Sequence, residues 1–263
     1  MTSNQDLGLR VQFHPDNPHV LVVTIDRPPV NALSLDLLRR LRDLFGGLTE
    51  SYPKAHCVVL TGAGKAFSAG ADLKELSERS TETQMARSVV SRGCFDAIRR
   101  CTVPVIAAVN GSAVGAGLVV ASCCDIVIAS ESASFSLPEV LVGVMGGTRH
   151  LARLVPDKMV RYLALTGRRV DAHTLARFGA VHEITTPEGL MPAALALASD
   201  IAKNSPSTLA LMKDSINLTE DMPVTEGYRV EQLFTTLASS MPDSKEAALA
   251  FLEKRKPVWS GSR

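Results

Sequence analysis

The sequence predicts an α/β fold, and three observations carry that expectation. Densely apolar, β-rich runs recur at residues 20–25, 57–61, 103–110 and 125–129. Stretches with apolar residues at helical spacing separate them, and the alternation continues to about residue 185. The runs do not alternate apolar with polar positions, which is the pattern of strands buried on both faces of a layered α/β core.

The first helix lies between the first two runs. Leu37, Leu38, Leu41, Leu44, Phe45 and Leu48 fall on one face, with Asp36, Arg39, Arg40, Arg42 and Asp43 opposite. Ser34 stands where an N-cap is needed, and Gly46-Gly47 supplies a stop. Residues 84–100 read as a second helix that feeds the third run. After His182 the character changes, and residues 190–203, 207–218, 224–239 and 245–254 are helical in pattern, divided by Pro206, Pro223 and Pro242. The chain therefore divides into a core of residues 1–190 and a C-terminal helical region of residues 191–263. No internal repeat of fixed period is visible.

A chain of 263 residues buries roughly three-quarters of its unfolded surface and needs no staples. Lys and Arg total 28 against 27 Asp and Glu, for a net charge of +1. That balance provides no footprint for nucleic acid or an acidic membrane. The five cysteines, Cys57, Cys94, Cys101, Cys123 and Cys124, are an odd set without a C-x-x-C pair. Residues 1–10 are polar and lack a signal-peptide core, and no apolar stretch approaches the roughly 20 residues that span a bilayer. A reduced, cytoplasmic location is expected. Cys123-Cys124 read as packing rather than as a reactive pair.

Two Gly/Ala-rich segments, 66–73 (AFSAGADL) and 110–117 (NGSAVGAG), each follow an apolar run. Small residues there let backbone approach a ligand closely, so two such turns could aim two main-chain N–H groups at one oxygen and stabilise an oxyanion or enolate. Downstream, Leu137-Pro138-Glu139 supplies a carboxylate able to move a proton. The spacing of Gly111, Gly115 and Gly117 also suits some dinucleotide-binding turns. Against that reading, about 100 residues precede the turn, and neither Tyr162 nor Tyr228 has a Lys four residues on. Gly62-Ala63-Gly64-Lys65 has the wrong spacing for a phosphate loop. No His/Asp/Glu cluster has metal-ligand spacing, so no metal is expected.

Taken together, the segments resemble the crotonase (enoyl-CoA hydratase/isomerase) superfamily. The likeness runs from Val20 almost to the C-terminus. It rests on 26–33 (DRPPVNAL), 60–73 (LTGAGKAFSAGADL), 104–111 (PVIAAVNG), 133–139 (ASFSLPE) and 250–257 (AFLEKRKP). It implies a crotonase-like spiral of ββα units with a C-terminal helical trimerisation region that covers the active site. It also implies acyl-CoA thioester substrates, no cofactor beyond the coenzyme A of the substrate, and a homotrimer or dimer of trimers. By the same likeness Ala71 and Ala116 carry the oxyanion-hole N–H groups and Glu139 is the acid/base. Arg27, Ala69, Asp72, Leu73 and Lys74 fall where the family embraces adenine and pantetheine. Phe251 and Lys254 fall where it reaches the nucleotide, sometimes from a neighbouring subunit.

The chain departs from the family at the first of two glutamates used by hydratases, which maps onto Val119, a residue left to line the substrate. Valine cannot activate water. The loop 143–149 is about two residues shorter than usual. His150, Arg149 and Ser112 are the polar residues near enough in sequence to compensate, while Asp72 reads as fixing its own turn. The expected activity is that of a hydratase or hydratase-lyase working through a thioester enolate. The alternatives are an enoyl-CoA isomerase, a ring-opening hydrolase of a cyclic β-keto acyl-CoA, which segments 135–140 and 150–156 also resemble, and a non-catalytic acyl-CoA binder.

Overall fold

The structure, a computed structural model, describes residues 8–77 and 80–260. Two strands open it: β1 (Leu9–His14) pairs antiparallel with β2 (Asn17–Ile25). Helix α1 (Leu35–Gly46) follows, with Ser34 accepting a hydrogen bond from Leu37 N as the predicted cap, and then the short α2 (Leu48–Ser51). Three strand–strand–helix units come next. The first is β3 (Cys57–Gly62), β4 (Ala66–Ser68), α3 (Leu73–Ser77) and α4 (Thr81–Arg100). The second is β5 (Val105–Val109), β6 (Ser112–Val114) and α5 (Ala116–Cys123). The third is β7 (Ile126–Ser130), β8 (Ser134–Ser136), a 3-10 turn (Pro138–Val142), α6 (Thr148–Leu151) and α7 (Asp157–Thr166). After β9 (Arg169–Asp171), α8 (Ala172–Ala176) and β10 (Glu183–Thr185), the helices α9 (Leu190–Ala202), α10 (Pro206–Thr219), α11 (Val224–Ser240) and α12 (Pro242–Leu252) complete the chain.

In each unit the first strand joins a six-stranded sheet, ordered β1-β2-β3-β5-β7-β10, and the second joins a four-stranded sheet, ordered β4-β6-β8-β9. Successive units lie parallel in register, with Val58 beside Val105, Ile106 beside Ile126, and Ser112 between Ala66 and Ser134. The fold thus repeats although the sequence does not. The helix closing a unit runs from eight residues in α5 to twenty in α4, which removes any fixed period.

The long parallel strands are buried on both faces, as their composition requires. One face packs against α1, α4 and α5 through a core that includes Leu21, Leu38, Leu60, Phe67 and Ile98. The other face (Val20, Val59, Ile106 and Ile128) is covered by α9, whose Leu190, Ala194, Ala198 and Ala202 form a stripe at four-residue spacing. Small side chains on that stripe let the helix lie close to the sheet. Helix α10 adds Lys213, whose Nζ donates to Asp125 Oδ2 (2.7 Å) and to Val103 O (3.1 Å). All five cysteines are free and buried. No helix among the described residues is long and apolar enough to cross a membrane.

Candidate active site

The loop that leaves β4 carries the first predicted amide. Leu33 forms an isolated parallel bridge with Ala71: Leu33 N donates to Gly70 O (2.7 Å), and Asp72 N donates to Leu33 O (3.3 Å). This register uses the groups on either side of Ala71 and leaves its own N–H unengaged among the hydrogen bonds of the described residues. Buried Asn31, at a φ of +56°, ties the same region together by donating to Ala63 O and Ala66 O. Ser68 Oγ donates to Asn31 O and accepts from Gly70 N.

Charged side chains clip this turn in place. Arg27 Nη2 donates to Asp72 Oδ2 (2.7 Å) and Nη1 to Ala32 O (3.0 Å). Asp72 Oδ1 also accepts from Lys74 N, so it caps α3 as the sequence suggests. The Arg27 guanidinium holds the Asp72 carboxyl below its ordinary pKa. On the far side, the largely buried Arg87 of α4 donates to Glu75 Oε2 (2.5 Å) and Leu33 O (2.9 Å), while Glu75 accepts from Leu35 N.

The second amide is built differently. Ala116 is the first residue of α5, and an α-helix leaves its first N–H groups without internal partners. Gly115 precedes it at φ +52° and offers no side-chain cap. Every residue from Gly117 to Cys123 is buried, so packing along its whole length fixes the direction of the helix, with Gly115 N donating to Ser136 O (2.9 Å) at its start. The two turns touch: a Cβ placed on Gly70 would fall 2.4 Å from Val114 O and 3.3 Å from Ala116 N.

Glu139 leans on the second turn. A Cβ placed on Gly115 would fall 2.6 Å from Glu139 Oε1, so the carboxylate occupies the space that the missing side chain leaves beside Ala116. Its Oε2 is buried without a hydrogen-bond partner among the described residues. Burial raises its pKa above the ordinary glutamate value, which suits a group that must give and take a proton near neutrality. One turn along α5, Val119 is 4% exposed. A Cβ on Gly147 would fall 2.9 Å from Val119 Cγ2 and 2.7 Å from Leu137 Cδ1. Val119 and Leu137 therefore form an apolar wall at this end of the site, with the loop of Gly147 packed against it.

The structure thus gathers Arg27, Ala69, Ala71, Asp72, Ala116, Val119 and Glu139 around two touching turns. Leu73 and Lys74 follow, exposed, on α3. Phe251 and Lys254 are exposed at the end of α12, which packs on α10 and α11 in a different layer. The polar residues considered as substitutes are engaged elsewhere. His150 Nδ1 lies 3.5 Å from Cys123 Sγ, with Phe95 against its ring, and burial lowers its pKa. Arg149 pairs with Asp221, and Ser112 Oγ with Ser134 Oγ. Among the described residues no group of three His, Cys, Asp or Glu could hold a metal ion. Sequence reasoning missed Leu33, Glu75, Arg87 and Gly147. Arg87 left no local signal, because its partner Leu33 lies 54 residues away; the signal for Gly147 was its place in the loop 143–149.

Comparison with known proteins matches residues 16–262 to the enoyl-CoA hydratase/isomerase family. A Mycobacterium tuberculosis protein named (7aS)-7a-methyl-1,5-dioxo-2,3,5,6,7,7a-hexahydro-1H-indene-carboxyl-CoA hydrolase is 39% identical over 90% of this chain and 96% of its own length. The short-chain-enoyl-CoA hydratase of Clostridium acetobutylicum is 38% identical over 90% of this chain and 92% of its own. The crystal structure of an enoyl-CoA hydratase from Bacillus anthracis superposes with a TM-score of 0.91 at 33% identity, covering 97% of this chain and all (100%) of that one.

Proposed function

The chain belongs to the enoyl-CoA hydratase/isomerase family, and from that premise we propose that it converts acyl-CoA thioesters through an enolate held by Ala71 N–H and Ala116 N–H, with Glu139 as the single acid/base. The observation that carries this reading is the Glu139 carboxylate beside Gly115, its Oε2 buried without a partner, adjoining Ala71 N–H and Ala116 N–H, which also have no partner among the described residues. Both N–H groups would donate to the thioester oxygen as it gains charge, and the positive end of the α5 dipole adds to that stabilisation.

Val119 narrows the chemistry to reactions that one carboxylate can complete. The first is hydrolytic opening of a cyclic β-keto acyl-CoA; the M. tuberculosis relative is named a hydrolase of a cyclic dioxo acyl-CoA. Glu139 takes a proton from water as its oxygen attacks the ring ketone. The bond from that carbon to the thioester α-carbon breaks, its electron pair enters the enolate, and Glu139 returns the proton to the α-carbon. Water is thereby divided between a new carboxyl group and a new C–H bond. The second is double-bond isomerisation, favoured by the apolar wall of Val119 and Leu137, in which Glu139 moves one proton between carbons. Hydration in the two-glutamate manner lacks its second carboxylate here.

Arg27, Ala69, Asp72, Leu73 and Lys74 are proposed to line the coenzyme A path. Phe251 and Lys254 are proposed to reach it from a neighbouring copy in a trimer or dimer of trimers. No other cofactor is invoked, and the working compartment is proposed to be the cytoplasm.

A mass-spectrometric screen of α,β-enoyl, β,γ-enoyl and cyclic β-keto acyl-CoAs tests the reading. Gain of one water on the cyclic substrate supports the first reaction, and a moved double bond at constant mass supports the second. Water gained on linear enoyl-CoA alone points to hydration. Binding without conversion of any substrate makes the protein an acyl-CoA binder and overturns the proposal. Glu139→Gln should lower turnover by about 10²- to 10⁴-fold with KM nearly unchanged; full activity would remove Glu139 from the mechanism.

A further inference from the structure

Arg27 stands at the start of a chain of two peptide groups that ends at Ala71 N–H. Its Nη1 donates to Ala32 O (3.0 Å). The N–H of that same peptide, Leu33 N, donates to Gly70 O (2.7 Å). The N–H of that next peptide is Ala71 N, which is unengaged among the hydrogen bonds of the described residues. The only cis bond among the described residues is Pro28-Pro29, so both linking peptides are trans. In a planar trans peptide the C=O and N–H point in opposite directions. The three donors therefore run in series: guanidinium to carbonyl, amide to carbonyl, amide to ligand.

We propose that Arg27 is a positioning residue that orients and polarises the Ala71 amide through the Ala32–Leu33 and Gly70–Ala71 peptides. Two physical effects follow from the series. Leu33 N fixes the direction of Gly70 C=O and hence of Ala71 N–H, so the donor is aimed before any ligand arrives. A cation at the first carbonyl draws electron density along the chain, and hydrogen bonds in series strengthen one another by roughly 10–30% each. The Arg27–Asp72 contact anchors the guanidinium to the residue just after Ala71, so the relay closes on the turn it serves. Arg87 braces the other end by donating to Leu33 O. The second amide has no such supply, because Ala116 N–H is driven by its own helix. The inference assigns Arg27 to the reaction rather than to coenzyme A alone, and it rests on the proposed role of Ala71.

The test uses a conjugated dienoyl-CoA, whose absorption band moves to longer wavelength when its thioester carbonyl is polarised. Bound to the wild-type protein the band should shift red, and Glu139→Gln should keep that shift. In Arg27→Gln the shift of the bound probe should shrink by about half and kcat at saturating substrate should fall about tenfold, while any rise in KM reports the coenzyme A contact separately; that fall in kcat is less than the 10²- to 10³-fold cost of losing an oxyanion donor outright. A purely structural role would lower the melting temperature without moving the band of the bound fraction. Should Arg27→Gln not fold, Arg27→Lys decides, because a compact ammonium cannot serve Ala32 O and Asp72 together as a fork can. A full red shift in the folded variant overturns the relay and leaves the proposed function standing. No shift in the wild-type complex overturns both.

Discussion

The two turns would supply the same kind of donor by opposite means. The Ala71 turn is a loop held from outside, by Leu33, by the Arg27–Asp72 pair and by Arg87 with Glu75. The Ala116 turn is held from inside, as the first residue of an apolar helix whose remaining residues are all buried. Polar clips tolerate sequence change around them but fail when one partner is lost. The packed helix end carries no ion pair at its turn, only the backbone bond from Gly115 N to Ser136 O, and depends chiefly on shape and on the absence of a side chain at Gly115. Catalysis of the proposed kind needs both amides on one atom, so the weaker support sets the precision of the pair.

That contrast can be broken first at the glycines. Gly70→Ala should have the largest effect, because the new Cβ would meet backbone, Val114 O at 2.4 Å, at a φ of +85°. A loss of roughly 2–4 kcal/mol in unfolding free energy is expected from strain and overpacking, together with loss of turnover. Gly115→Ala meets instead the movable end of Glu139 at a φ of +52°. Turnover should fall on the order of 10²-fold, with only about 1–3 kcal/mol of stability lost. Denaturant titration beside steady-state kinetics separates the two, and equal stability losses would contradict the distinction. Arg87→Gln comes next. It leaves Glu75 without its cation, but Glu75 retains Leu35 N and is 35% exposed, so about 1–3 kcal/mol is expected. Turnover should drop while the helix-held amide is untouched; a variant of wild-type stability and rate would show that the first turn does not need this clip.

The smallest effect is a displacement in pH. The pKa of Glu139 is raised by burial, so the acid limb of kcat/KM should lie above the position an ordinary glutamate would give it. The same shift favours the folded state at low pH. That contribution is complete below the unfolded pKa and is lost as pH rises through the folded pKa. In Glu139→Gln both dependences should disappear. A limb left in place would assign it to another group.

Much of this was legible in the chain itself. The unalternating runs announced β2, β3, β5 and β7, and the leucine stripe with Ser34 announced α1. Gly70, Gly115 and Pro138-Glu139 marked the places where strands give way to turns. The three-residue strands β4, β6, β8 and β9 were not legible, because a periodicity of two cannot register in three residues. Nor was β1, which starts within the polar residues 1–10 and continues beyond them without a marked apolar run. The burial of Arg87 and Lys213 was not legible either, because their partners Leu33 and Asp125 lie 54 and 88 residues away in sequence.

By itself the sequence determined which long apolar runs become strands, where the longer helices lie, and which turns are bare of large side chains. Those are properties of local composition, set by side-chain shape and backbone freedom within a few residues. The tertiary structure alone decided that the two turns touch, that Glu139 fills the hollow at Gly115, that Gly147 closes over Val119, and that Arg27 and Arg87 clip the Ala71 loop. Each of these joins groups tens of residues apart, and their meeting depends on the order in which three ββα units stack rather than on any motif within one of them.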